Sequence, residues 1–175
     1  MEKIVIGKSN KHFEGIKSII DCIPKDATRY SLNYLYVTTD RIAGTDGKVL
    51  AVMDNYNQEM FKPGYYEVLK NTKTLIMLLP VEDREDLRYP NIEDILPDIP
   101  ENQIKEKPYI STEYREDKEI LLAVWLYKIY NSGICIKPVY LKRFLFCDKW
   151  AVTGNTVNVL GDNGFKAVIM SIRVN

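Results

Sequence analysis

The sequence contains few of the side chains and motifs on which most enzymes depend. It has one histidine, His12, and three cysteines, Cys22, Cys135 and Cys147, whose spacing matches no metal-binding motif. It has no glycine-rich phosphate-binding loop and no Gly-x-Ser-x-Gly nucleophile elbow. His12 falls at the edge of an apolar helix face, where a packed side chain is the ordinary interpretation. We therefore predict no enzyme activity, no catalytic residue, no metal and no cofactor.

Long hydrophobic runs are also absent. No apolar stretch approaches the ~20 residues that cross a membrane, and the opening MEKIVIGKSN lacks the hydrophobic segment of a signal peptide. We therefore expect a cytoplasmic protein with no membrane partner, whose cysteines are buried free thiols. A hydrophobic content of 46% over 175 residues is sufficient for one domain, residues 1–175, with a single core.

The net charge is zero, but the charges are unevenly distributed. Residues 81–119 contain thirteen acidic and six basic residues, a net charge of −7, so the rest of the chain carries +7. The segment at about 81–118 also contains four prolines, and we predict a charged connector with at most a short helical turn at 91–96. The remainder can therefore present a basic surface although the whole protein is neutral.

Hydropathy patterns predict the elements of the first half. A strand at 3–8 precedes a helix that Ser9 or Asn10 caps and Pro24 ends. The antiparallel strands that follow are predicted at 30–39, 41–45 and 48–53, with a further hairpin at 64–80 around Asn71.

The second half shows the same order of elements. Strands at 119–130 and 134–136 precede a helix at 137–146, which has Pro138 at its first position. Three strands complete the chain, at 149–154, 156–161 and 165–174. The predicted class is α+β, with two strand–helix–antiparallel-strand units and both helices on one side of the sheets.

Each predicted helix has one apolar face and one basic face. Lys11 and Lys17 lie on the polar side of the first helix, and Lys142 and Arg143 lie on that of the second. Basic faces of this kind attract phosphates without reading the base sequence. An ordinary solvated helix surface has the same pattern, so both interpretations are open at this point.

Carboxylates offer an enzymatic alternative. The acidic run EDREDL (82–87) has oxygen ligands of the kind that divalent cations prefer, and Asp40, Asp46 and Asp54 could serve a metal-dependent nuclease. However, the acidic run has no recognisable ligand spacing, and turns account for the three aspartates equally well. Asp46-Gly47 in particular is a dipeptide typical of tight hairpin turns.

Four segments resemble bacterial DNA polymerase III β sliding clamps. The stretch RYSLNYLYVTTDRIAGTDGKVLAV (29–52) resembles the R-Y-x-L-N-G strand and A-T-D-G-H-R-L-A hairpin of the second clamp domain. FKAVIMSIRV (165–174) resembles the terminal Y-V-V-M-P-M-R-L strand, and SGICIKPVYLKRFL (132–145) is similar to the strand–helix unit upstream of it. LLPVEDREDLRYPNIEDILP (78–97) resembles the F-P-[DN] segment that links clamp domains.

The resemblance implies a DNA-clamp fold, in which the sheets face outward and the helices line the hole for DNA. Lys11, Lys17, Lys142 and Arg143 would then face double-stranded DNA without sequence specificity. Clamps have three such domains per chain and close as a dimer, whereas this chain is about the size of one domain. A ring would require a homo-oligomer of six copies. The alternative is a protein that keeps the fold without the ring.

The resemblance also implies a partner-binding cleft. In clamps, the T-D-G-H-R-L and V-M-P-M segments come from different domains and line the hydrophobic cleft that receives polymerase and loader peptides. Family residues are kept at Thr45, Asp46, Gly47 and Leu50, whereas Lys48 and Val49 replace His and Arg. In the terminal segment Met170 and Arg173 match, whereas Ser171 and Ile172 replace Pro and Met. The predicted cleft residues are Thr45, Gly47, Lys48, Leu50, Met170 and Ile172.

Together these features predict a non-enzymatic, clamp-like protein of bacterial or phage origin. It would act in DNA replication through sequence-independent DNA binding or a processivity-type role, with a polymerase or other replication proteins as partners. The alternative function is a DNA-independent interaction module that binds clamp partners or a clamp.

Overall fold

The computed structural model of the chain describes residues 2–24, 30–55, 58–82, 87–111 and 117–172. Its framework is one antiparallel sheet of ten strands. In chain order these are β1 (Ile4–Gly7), β2 (Leu35–Val37), β3 (Arg41–Thr45), β4 (Val49–Asp54), β5 (Gly64–Asn71), β6 (Leu75–Val81), β7 (Lys105–Glu106), β8 (Lys149–Thr153), β9 (Thr156–Leu160) and β10 (Lys166–Met170). Across the sheet the order is β1-β6-β5-β2-β3-β4-β10-β9-β8-β7.

Three α-helices pack on one face of this sheet. They are α1 (Phe13–Ile20), α2 (Lys118–Tyr130) and α3 (Pro138–Leu141), and a 3-10 turn (Lys142–Phe144) continues α3. The Ser18 hydroxyl of α1 donates to the Arg143 carbonyl at 3.0 Å, so the helices of the two halves touch. The prediction that both helices lie on one side is therefore confirmed, as is Pro138 in the first turn of its helix.

The two halves of the chain form one sheet because β4 pairs with β10. Leu50 lies opposite Val168, and Val49 lies opposite Ile169. Alternation along β4 sends Val49, Ala51 and Met53 into the main core beneath the helices, and it sends Leu50 and Val52 to the opposite, outer face. The main core draws buried side chains from both halves, including Phe13, Trp125, Phe144 and Phe165.

Residues 119–130, predicted as a strand, form helix α2. The Asp117 carboxylate caps this helix by accepting from the Glu119 and Ile120 amides at 2.9 and 3.2 Å. Buried Leu121, Leu122, Trp125 and Ile129 share one helical face, while Val124 and Leu126 are half-buried and Ala123 and Tyr127 are exposed. Because apolar residues also occupy the other faces, the segment lacks the amphipathic signal of a helix, and its sequence favours a long strand.

Other boundaries also differ from the predictions. Residues 134–136, predicted as a strand, form no regular element. In the first half, helix α1 begins at Phe13, and its N-cap His12 makes no side-chain capping bond. Asn10 stabilises the turn that precedes the helix, since its side-chain oxygen accepts from the His12 amide at 2.9 Å. The predicted strand 30–39 divides into a 3-10 helix (Tyr30–Asn33) and the short β2.

The described residues at the start of the connector, from 87 to 96, pack on the outer face of the sheet. The Tyr89 ring stacks on Tyr36 of β2 with centroids 4.6 Å apart, and Ile92 packs with Leu50 and Val52 of β4. The chain then reaches the far edge, where β7 pairs with β8. The described part contains, besides β7, a 3-10 turn (Glu101–Gln103) and a tight turn in which the Leu96 amide donates to the Ile92 carbonyl.

The capping role of Asp117 leads to a first prediction. Asp117→Ala leaves two amides at the start of α2 without their acceptor, so we expect a loss of about 1 kcal/mol in the free energy of unfolding. Asp117→Asn retains a capping oxygen and should remain within about 0.5 kcal/mol of the native protein. Urea denaturation followed by circular dichroism measures both variants. Equal stability of the alanine and asparagine variants would contradict the capping role.

Candidate functional site

The hairpin turn between β3 and β4 is shaped by its own side chains. Gly47 has a φ of 81°, in the left-handed region that glycine adopts without strain. The Asp46 carboxylate accepts from the Lys48 and Val49 amides at 2.8 and 2.9 Å, and the Thr45 hydroxyl accepts from the Gly47 amide at 3.0 Å. Thr-Asp-Gly therefore builds the turn and leaves Gly47 and Lys48 exposed at its tip.

The β4–β10 pairing brings this turn beside the end of the described chain. The Met170 amide donates to the Lys48 carbonyl at 2.9 Å. The next two residues are also held, because the Ser171 amide donates to the Asn155 carbonyl at 2.9 Å and the Ile172 amide to the Cys135 carbonyl at 2.8 Å. We name Gly47, Lys48, Met170 and Ile172, with the supporting Thr45 and Leu50, the turn–terminus surface.

The six residues of the turn–terminus surface divide by exposure. Met170 is 54% exposed and Ile172 is 40% exposed, and Gly47 and Lys48 are also exposed. Thr45 and Leu50 are buried at 4% and 3%, since Leu50 packs beneath Ile92 of the connector. Thr45 and Leu50, both predicted as cleft residues, therefore lie beneath the exposed surface and do not form part of it. Arg173, the other family match, lies outside the described residues.

The four predicted DNA-facing residues lie on the helix side but have different surroundings. Lys11 is exposed, whereas Lys17 forms an ion pair with Asp21 at 3.0 Å. Lys142 forms an ion pair with Glu119 of α2. The half-buried Arg143 guanidinium lies 5.4 Å from the centre of the Tyr140 ring. Two of the four charges thus have a carboxylate partner, which reduces their attraction for phosphate.

The two carboxylate partners differ in how far the sequence indicates them. Asp21 follows Lys17 by four residues, a spacing that predicts an ion pair on a helix, so the signal was present. Glu119 lies 23 residues from Lys142, and only the helical form of 118–130 brings the two side chains together. The carbonyls of Asn155 and Cys135, which hold the terminal segment, have no signal in the sequence.

Nothing in the described ranges gathers the groups that the nuclease alternative needs. Among the described residues, no three His, Cys, Asp or Glu side chains lie together as metal ligands. Asp46 is engaged in the turn, and most of the acidic run 82–87 lies outside the described residues. Burial, together with Lys11, lowers the pKa of His12, so this side chain is neutral at pH 7.

The cysteines divide into two buried thiols and one that is partly accessible. Burial raises the pKa of Cys22 to about 12 and also raises the pKa of Cys147. Thiols of this kind are poor nucleophiles at neutral pH because the thiolate is scarce. Cys135 is half-buried, which corrects the expectation that all three are buried. Within the described part of the chain, no helix has the length and apolar character of a membrane span.

Comparison with solved structures identifies the fold. A β sliding clamp from Caulobacter crescentus matches 99% of this chain and 66% of its own, with a TM-score of 0.61 and 13% identity. The clamp from Pseudomonas aeruginosa matches with a TM-score of 0.53 and 12% identity, over 98% of this chain and 67% of its own. The Helicobacter pylori clamp, solved with a DNA ligase peptide, has a TM-score of 0.56 and 11% identity, over 99% and 66% of the two chains.

The chain therefore has a sliding-clamp-like fold, as the resemblance predicted. It spans just under two thirds of the length of the clamp chains it matches. No protein-family model and no curated protein matches the sequence. At these identities the similarity establishes the fold alone.

Proposed function

We propose that this chain is a non-enzymatic clamp-fold protein of DNA replication or repair that binds a short hydrophobic peptide of a replication protein at the turn–terminus surface. The observation that carries the proposal is the 2.9 Å hydrogen bond from the Met170 amide to the Lys48 carbonyl, which joins the two predicted cleft segments. The H. pylori clamp was solved with a DNA ligase peptide, and a related ligand fits the chemistry described here.

Exposed side chains on the turn–terminus surface suit a peptide with few anchors. Met170 and Ile172 are exposed apolar side chains on backbone that three hydrogen bonds hold in place. Methionine adapts to ligands of different shape, and a small number of buried anchors supplies most of the affinity of such contacts. Lys48 forms no ion pair with a described residue, so a peptide carrying an acidic residue beside its apolar anchors is favoured.

The strand pairing supports the same proposal. In clamps the two cleft segments come from different domains. This chain carries both segments in one sheet, through the direct pairing of β4 with β10. The boundaries of the single domain 1–175 and of its connector at 81–118 remain predictions.

Introducing a charge at Met170 tests peptide binding at the turn–terminus surface directly. Met170→Glu puts a carboxylate where an apolar anchor would be buried, so we expect the affinity for a labelled bacterial DNA ligase peptide to fall about 10-fold or more. The matched control is Val5→Glu, because Val5 is 55% exposed on β1, the edge strand opposite β7. Fluorescence anisotropy measures both affinities, and circular dichroism confirms folding. Equal affinities of the two variants, or no binding by the native protein, would refute the proposal.

Duplex DNA binding on the helix side is the second candidate function. It is supported by the hydrogen bond from Ser18 to the Arg143 carbonyl, because this bond joins α1, which carries Lys17, to the turn that carries Lys142 and Arg143. Because two of these cations are already paired, we expect weak, sequence-independent binding. The slope of log affinity against log salt should be about −2 to −4.

Charge reversal tests this second function. Changing Lys11, Lys17, Lys142 and Arg143 together to Glu should abolish duplex binding, measured by anisotropy at low salt. Lys149→Glu with Lys166→Glu is the control, since these exposed lysines lie on the outer face of the sheet. Equal loss in both variants would contradict the assignment.

The mass in solution then separates a ring of six copies from a monomer that keeps only the fold.

A further inference from the structure

A groove lies where β7 meets the C-terminal end of α2, away from the turn–terminus surface. It has a volume of about 420 Å³ and is lined by Lys105, Glu106, Pro108, Tyr109, Lys128 and Trp150. The residues come from the connector, α2 and β8, so tertiary structure alone assembles it. A groove of this size holds a flat ring together with a charged group, and the residues around it supply partners for both.

Two aromatic side chains line this groove. Tyr109 is 82% exposed, although burial of an aromatic ring is ordinarily favourable. Trp150 is buried at 3%, and its indole N–H donates to the Glu106 carbonyl at 3.2 Å, so this ring forms the floor. The exposed Tyr109 ring beside this fixed floor provides a surface on which a planar ligand can stack.

Two lysines give the groove a positive charge. Lys105 Nζ lies 4.8 Å from the centre of the Trp150 ring and donates to the Ser132 hydroxyl at 3.3 Å. Neither Lys105 nor Lys128 forms an ion pair with a carboxylate in the described part of the chain. Glu106 also lines the groove, and its backbone carbonyl accepts from the Trp150 indole. With two lysines and one glutamate, the lining carries a net charge of +1.

We propose that this groove binds unpaired nucleotides of a nucleic-acid strand, with a base stacked on Tyr109 and adjacent phosphates beside Lys105 and Lys128. Aromatic stacking together with lysine–phosphate attraction is the general chemistry of single-strand binding, and it does not depend on base identity. Bases within a duplex are stacked on each other and cannot reach Tyr109. The groove therefore distinguishes single strands from duplexes, unlike the helix surface of Lys11, Lys17, Lys142 and Arg143.

Stacking on Tyr109 is tested with a fluorescein-labelled oligothymidylate of about 12 nucleotides and a duplex of the same length. Anisotropy at low salt should show tighter binding of the single strand. Tyr109→Ala should weaken that binding about 5-fold or more, whereas Tyr109→Phe, which keeps the ring, should stay within about 2-fold. Because Tyr109 is exposed, neither variant is expected to affect folding.

Charge in the groove is tested by a second comparison. Lys105→Gln with Lys128→Gln should make the salt slope of single-strand binding shallower by about 1.4, whereas Lys149→Gln, on the other face, should leave it unchanged. The Glu variant of Lys11, Lys17, Lys142 and Arg143 should retain single-strand binding, which keeps this proposal separate from duplex binding. Equal affinity for single strand and duplex, or an unaffected Tyr109→Ala, would overturn it. A mass that rises with concentration and is lowered by Tyr109→Ala would instead identify a protein interface.

Discussion

Gly44→Ala should lower the free energy of unfolding by about 3 kcal/mol, an unusually large effect for one added methyl group. A Cβ atom at this position would lie 2.5 Å from the Ile19 carbonyl oxygen and 2.9 Å from Ile19 Cγ2. Both atoms belong to α1, where Ile19 is fully buried. The carbonyl is part of the helix backbone and cannot rotate away, so the whole helix must move off the sheet.

A matched glycine provides the control for this prediction. Gly7→Ala adds the same methyl group at the end of β1, where the nearest neighbour is the Ser9 hydroxyl oxygen at 3.9 Å. This variant should remain within about 0.5 kcal/mol of the native protein. Urea denaturation monitored by circular dichroism compares the two. Similar midpoints for Gly44→Ala and Gly7→Ala would mean that α1 does not pack against β3 as described.

Gly44 also has a consequence for the turn–terminus surface. It directly precedes Thr45, whose hydroxyl accepts the Gly47 amide in the hairpin turn. Close contact between Gly44 and α1 therefore fixes the strand that leads into the turn. If Gly44→Ala remains folded, we expect peptide binding at this surface to weaken together with stability.

Trp125→Ala is expected to cost about 3 to 5 kcal/mol, the largest effect among the substitutions considered. Trp125 lies on the buried face of α2, and its ring is fully buried in the main core. Its removal leaves a cavity that the surrounding sheet and helices cannot fill by small shifts. Thermal and urea denaturation both measure the loss.

Tyr127→Ala is the control, and together the two substitutions test the helical form of this segment. Tyr127 is 63% exposed, so its removal should change stability by no more than about 0.5 kcal/mol. In a strand, residues 125 and 127 would point to the same face and their substitution would have similar effects. In a helix they lie about 200° apart. Equal losses would therefore contradict the assignment of α2.

Comparing prediction with structure shows which sequence signals are reliable. The hairpin of β3 and β4 was predicted correctly because both apolar strands and the Asp46-Gly47 turn lie within 14 residues. The start of α3 was also predicted correctly, since Pro138 suits the first turn of a helix on local grounds alone. In contrast, α2 was missed because its own apolar residues occupy several faces of the helix. Contact with the core decides which of these faces is buried.

Candidate site residues follow the same division. The turn residues Thr45 and Gly47 could be identified from sequence, but the burial of Leu50 depends on Ile92 of the connector. The pairing of Lys142 with Glu119 likewise depends on how α2 and α3 meet. The exposure of a side chain and the charge around it depend on residues that are distant in the chain. A local sequence pattern therefore cannot predict them.

The sequence by itself determined the turns, most strands, the presence of α1, the start of α3 at Pro138, and the resemblance to sliding clamps; α1 ends at Ile20, before Pro24. These features arise from φ preferences, side-chain alternation and capping, which act over a few residues. Tertiary structure decided that β4 pairs with β10, which places Met170 beside Lys48. It also decided that Tyr109, Lys105 and Lys128 share a groove. Pairing between strands more than 100 residues apart depends on which edges remain open once the rest of the sheet has formed, so only the complete fold determines it.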